Sequence, residues 1–165
     1  MSDVDVVAEI VIDRPIELVG TYSANPDNAP SWYVNIKSVE WKTTPHPAVG
    51  SRVAFVAHFL GRRLAYVYEF VEFVPNKRLV MRTSEGPFPM ETTYTWDSTS
   101  DGKTRMTLRN HGSPTGFSKL MAPFMSFAMR RANRKDLAKL RDLLERGPGH
   151  VTANSFHEKA GPSQE

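Results

Sequence analysis

Residues 90–112 read METTYTWDSTSDGKTRMTLRNHG, and the pattern in this stretch decides the fold. Met90, Thr92, Tyr94 and Trp96 alternate with Glu91, Thr93, Thr95 and Asp97, and Met106 and Leu108 alternate with Arg105, Thr107 and Arg109. A period of two is that of a β-strand with one covered and one wet face. Asp101-Gly102 stands between the two runs, a pair that favours a tight hairpin because it tolerates positive φ. The stretch therefore predicts two adjacent antiparallel strands.

Upstream, Ile36–Thr43, Arg52–Leu60, Leu64–Val74 and Arg78–Thr83 read as four more strands. Pro45-His46-Pro47, the hairpin signal Gly61-Arg62, Pro75-Asn76 and Gly86-Pro87 separate them. Six strands on short connections make an antiparallel meander. The runs 52–60 and 64–74 are apolar at both parities, so their phase stays open. At the N-terminus, Val4–Ile12 (VDVVAEIVI) is a further strand, stopped by Pro15. Asp13 is the expected N-cap of a short helix through Pro15-Ile16-Glu17-Leu18-Val19. Asn25-Pro26-Asp27-Asn28 and Ala29-Pro30 then break the chain before a second short turn carrying Trp32 and Tyr33.

Downstream, Gly112-Ser113-Pro114-Thr115-Gly116 ends the sheet, with Ser113 or Thr115 as the N-cap of a long helix over 117–145. Its apolar positions are 117, 120, 121, 124, 125, 128, 129, 132, 137, 140, 143 and 144, which is helical spacing. Pro123 is expected to kink it. Asp142 with Arg146 and Arg141 with Glu145 are expected i,i+4 pairs. Asp136 falls inside the apolar arc, where a buried carboxyl requires an ion pair or a backbone hydrogen bond. The architecture expected is α+β: a curved antiparallel sheet of about seven strands wrapped around the long helix. One domain spans 1–146, and 147–165, which lacks periodicity, is an expected disordered tail.

The 165 residues contain no cysteine, which excludes a disulfide scaffold, a Cys-ligated zinc site and a Cys nucleophile. The net charge is +3, and its distribution matters more than its size. Residues 1–116 hold 12 basic and 13 acidic side chains, whereas 117–146 hold 8 basic and 3 acidic. The excess belongs to one helix, so no nucleic-acid partner is expected. The acidic start Met1-Ser2-Asp3-Val4-Asp5 differs from the basic start of a signal peptide. No apolar run reaches the roughly 18 residues of a membrane span, so a cytoplasmic protein without integral membrane segments is expected. His46, His150 and His157 lack ligand spacing, so no metal is expected; without a phosphate or dinucleotide fingerprint, no cofactor is either.

Along this order of elements stand several local motifs: Ile12-Asp13-Arg14-Pro15, Asn25-Pro26 with Trp32, Gly50-Ser51-Arg52, Tyr68-Glu69 with Pro75, Arg78-Leu79-Val80, Asp101-Gly102-Lys103-Thr104 and Asp136-Leu137 with Leu140 and Leu144-Glu145. Order and motifs together resemble the START-like (SRPBCC) superfamily, which includes the birch-type pollen allergens. More narrowly they resemble its polyketide cyclase/dehydrase group. The resemblance covers residues 4–146 and implies a helix-grip fold with a cavity between sheet and long helix. Its members bind lipids, sterols and polyketides, and some cyclise or dehydrate them. No family-wide catalytic motif carries over.

On that expectation the ligand-lining candidates are Trp32, Tyr33, Phe55, Tyr66, Met81, Met90, Tyr94, Met106, Asn110, Phe117, Met121, Phe124 and Met125. Methionine suits an adaptable pocket. Trp32 and Tyr33 either close the cavity mouth or plug the core. Tyr66, Tyr68 and Tyr94 supply hydroxyls, with cross-strand packing the alternative for one of Tyr66 and Tyr68. His58, Glu69 and Tyr94 are the candidates for proton transfer. Arg130, Arg131, Arg134 and Lys135 form either an anion-binding face or a solvated one. The function expected is binding of a small apolar or amphipathic ligand, of lipid, polyketide or aromatic type, by a monomer or weak homodimer. Alternatives are a cyclase/dehydratase using Tyr with Glu or His, and an interaction module on the basic helix face.

Overall fold

The computed structural model describes residues 4–113 and 122–146. Seven strands form one antiparallel sheet: β1 (Val4–Ile12), β2 (Ile36–Trp41), β3 (Arg52–Phe59), β4 (Arg62–Val74), β5 (Arg78–Glu85), β6 (Met90–Ser98) and β7 (Thr104–Gly112). Their order, β1-β7-β6-β5-β4-β3-β2, is a six-strand meander with β1 returning to pair with β7. Helix α1 (Ile16–Ala24), a 3-10 turn over Pro26–Asn28 and helix α2 (Ala29–Trp32) follow β1, and α3 (Ala122–Arg146) crosses the sheet. This is the α+β helix-grip architecture.

The pairing resolves the phase that composition left open. Val53 faces Tyr68, Phe55 faces Tyr66 and Ala57 faces Leu64 across β3 and β4. Directly paired residues share a face. Those residues therefore look inward with Leu79, Met81, Thr92, Tyr94, Leu108 and Asn110, which pair in turn across β5, β6 and β7.

Several local expectations are corrected. The β3–β4 turn is centred on Leu60 and Gly61, at φ 50° and 73°, one residue before the expected Gly61-Arg62, and Arg62 opens β4. Asp13 does not cap α1: Pro15 occupies that position without a side-chain bond. The Asp13 backbone N–H instead donates to Glu145 Oε1 at 3.0 Å, and the Arg14 guanidinium donates to the Glu145 carbonyl at the end of α3. Glu145 thus faces the β1 corner, and Arg141 pairs with neighbouring Asp142 at 3.3 Å rather than with Glu145. No Asp142–Arg146 pair forms among the described residues. The expected kink at Pro123 depends on the chain before Ala122, which lies outside the described residues. The Ser113 N–H donates to the Pro89 carbonyl at 3.3 Å. The expected helix start at 117, the Thr115 cap and the tail from 147 lie outside the described residues.

The two halves of α3 do different things. Leu137, Leu140 and Leu144 are buried in a close-packed cluster with Trp32, Trp96, Phe70, Leu79, Met106 and Leu108. Toward the N-terminal end, Met125 packs on Val4 and Val6, with Met129 beside it. Met129 also touches a separate cluster of Tyr66, Phe88 and Met90. One half of the helix closes a core and the other spans a gap. Among the described residues no helix is long and apolar enough to cross a membrane.

Candidate functional site

The gap is a cavity of about 640 Å³, roofed by Met125, Met129, Ala132, Asn133 and Asp136 of α3. The sheet supplies Phe55, Ala57, Phe59, Leu64, Tyr66, Tyr68, Leu79, Met81, Met90, Thr92, Tyr94 and Asn110, and Phe88 lies beside them. Tyr33 and Asn35 close the α2 side, and Leu60, Arg62 and Phe124 also border it. Leu60 and Phe124 are exposed, so the mouth lies between the β3–β4 hairpin and the start of α3. Few polar groups enter an otherwise apolar wall, the composition of a small-molecule pocket.

Of the residues expected to contact a ligand, Tyr33, Phe55, Tyr66, Met81, Met90, Tyr94, Asn110, Phe124 and Met125 line this cavity. Trp32 and Met106 do not. Both are fully buried in the close-packed cluster, Trp32 as a plug with its ring 4.0 Å from that of Tyr33. Phe117 and Met121 fall outside the described residues. His58 is exposed, on the opposite parity to the lining residues Ala57 and Phe59. Glu69 faces outward too, registered between Arg52 and Arg82. Neither is among the residues that line the cavity. Tyr94 alone of the three proton-transfer candidates lies at the site.

The polar groups fall into two sets. In the first, the Tyr33 and Tyr94 hydroxyls bond each other. Asp136 lies near both, and its Oδ1 accepts the Val34 backbone N–H at 2.8 Å, the backbone bond expected of a buried Asp. Burial raises the Asp136 carboxyl to about 7, with the Val34 bond and Lys139 pulling the other way. Burial also drives both tyrosines well above their ordinary range, so they are neutral donors.

In the second set, the Thr92 hydroxyl donates to Asn110 Oδ1 at 2.9 Å and Asn110 Nδ2 donates to Asn133 Oδ1 at 3.1 Å. Tyr68 lies on the same wall, and burial pushes its phenol up to about 12. Sequence reasoning singled out Asp136 but missed Thr92 and Asn133. The signal for Asn133 was of the same kind: a polar residue four after Met129 and three before Asp136, on the apolar arc. Among the described residues no group of three or more His, Asp or Glu could hold a metal ion.

Comparison with known proteins agrees with this architecture. The Zhui aromatase/cyclase from Streptomyces sp. R1128 superposes with a TM-score of 0.74 at 14% identity, over 87% of this chain and 94% of that one. A START superfamily protein from Mycobacterium smegmatis gives 0.73 at 10% identity, over 86% and 97%. A protein from Thermus thermophilus gives 0.72 at 20% identity, over 87% and 99%. At these identities the likeness is one of fold, the helix-grip fold of the START-like superfamily. No curated protein matches the sequence. Residues 3–145, from the first strand to the last turn of α3, match one family along their whole length, and the chain belongs to it: polyketide cyclase / dehydrase and lipid transport.

Proposed function

We propose that the protein binds a small apolar or amphipathic molecule, of lipid, polyketide or aromatic type, between the sheet and the first half of α3. The observation that carries this is the cavity of about 640 Å³ that α3 spans without filling. Burial of apolar ligand surface supplies the affinity, at roughly 25 cal/mol per Å² before the costs of association. The tyrosine and asparagine groups supply orientation. A screen of lipids, flavonoids and aromatic polyketides, with native mass spectrometry of the freshly purified protein, tests it. Expected is a stoichiometric small molecule, either copurified or captured. A protein that stays empty against every class would contradict it. A cytoplasmic location and a monomeric or weakly dimeric state belong to the same proposal, and fractionation and sedimentation test them.

A second reading, an aldol-type cyclase or dehydratase, is favoured by one observation. Asp136, at about 7, stands beside the neutral Tyr33–Tyr94 pair at the cavity wall. A carboxyl poised near neutrality suits general base work, and a neutral phenol can polarise a carbonyl. The roles expected of Tyr with Glu or His pass to Tyr94 and Asp136. Asp136→Asn is expected to abolish turnover of a poly-β-ketone while leaving its binding intact. Undiminished turnover would remove this reading.

A further inference from the structure

The hydrogen bonds along one wall of the cavity run in a single direction. Thr92 has one hydroxyl proton, and Asn110 Oδ1, which takes it, can only accept. Asn110 in turn donates from its Nδ2 to Asn133 Oδ1. All three residues line the cavity. The run ends on Asn133 Nδ2, which is buried and has no acceptor among the described residues, in a side chain only 4% exposed. A buried donor left unpaired is costly, and an apolar residue at this place would carry no such cost.

We infer that Asn133 is the polar anchor of the cavity, donating from Nδ2 to a neutral carbonyl oxygen of the bound molecule. The anchor rests on the cavity-binding proposal and narrows it to a ligand class. An N–H donor calls for an acceptor. Asp136 stands three residues along the same face of α3, so an anionic head group would meet another carboxyl. Arg62, the basic residue among the described residues that line the cavity, is exposed on the hairpin. Ketones, quinones and esters on an apolar skeleton fit this wall, and free carboxylates do not.

The test uses two probes with one skeleton, 9-fluorenone and fluorene, which differ at the ketone. Both are titrated into the wild type and Asn133→Asp at pH 9, where the ionised side chain still accepts from Asn110 but presents a second acceptor in place of the donor. Fluorenone affinity is expected to fall about tenfold and fluorene affinity less than twofold, a difference of the size of one hydrogen bond. Equal losses for the two probes would overturn the anchor and leave the cavity proposal standing. Failure of both probes to bind the wild type would contradict the cavity proposal and the anchor with it. A readout that needs no variant is the infrared carbonyl stretch of fluorenone bound to the wild type. A band at lower wavenumber than in hexane is expected, and a band at the hexane position would overturn the anchor.

Discussion

At Asp136 a carboxyl interrupts the apolar arc of α3, and its surroundings decide its charge. The folded state holds it at about 7, against about 3.9 for an unperturbed Asp. The folded protein therefore keeps a proton that the unfolded chain has lost. The stability this lends is full below about pH 4 and is lost as pH rises to about 7, with a ceiling of about 4 kcal/mol. Asp136→Asn retains an oxygen for the Val34 N–H and has no charge to bury. Its advantage over the wild type should grow from near zero at pH 4 to its maximum above pH 7, measured by thermal unfolding across that range. An advantage independent of pH would contradict the assignment. Ser23 gives a second test at this scale. Its hydroxyl accepts from the buried Trp96 Nε1 at 2.9 Å and donates to the Val19 carbonyl at 2.6 Å. Ser23→Ala leaves the indole N–H unpaired, and urea unfolding should show a loss of about 1–3 kcal/mol. Asp136 was legible from the helical wheel. Asn133 sits on the same arc but was passed over, because an amide raises no charge to flag and its partner Asn110 comes from a distant strand.

The elements show where periodicity speaks and where it falls silent. β6 and β7 were readable because one face is polar throughout. β3 and β4 were not, since Phe55 and Val56, or Tyr66 and Val67, are apolar on both parities. Only pairing with β5 and β6 orients them, and that long-range register is why Glu69 faces outward. The end of α3 shows a different limit. Local rules assigned Glu145 to an i,i+4 partner and Asp13 to a cap, but the tertiary fold joins the two. Arg14 and Asp13 at the β1 corner donate to the last turn of α3, which also places a cation at a helix C-terminus. Arg14→Ala should cost about 1–2 kcal/mol, read by chemical denaturation. Leu140 is fully buried in the half of α3 that closes the core. Leu140→Ala should cost about 2–5 kcal/mol, and unchanged stability would mean that this half of the helix is not the clasp.

For the molecule as a whole, a sheet curved about one helix leaves more space than the side chains fill, and the helix divides that space unevenly. Its leucine-rich end seats on Trp32 and Trp96, while its methionine-rich end stands over the cavity. The basic excess of the sequence lies on the outward side of the same helix, at Arg130, Arg131, Arg134 and Lys135, of which Arg130, Arg134 and Lys135 are exposed and Arg131 is too. The methionines make the central claim measurable, because they lie on both sides of that division. Met81, Met90, Met125 and Met129 line the cavity, whereas Met106 is wholly buried in the adjoining core. Methyl-labelled methionine NMR during titration with fluorene is the most direct test. The four cavity methyls should shift together and saturate at one equivalent while Met106 stays in place. Unmoved cavity methyls, or Met106 shifting along with them, would contradict the cavity as the binding site.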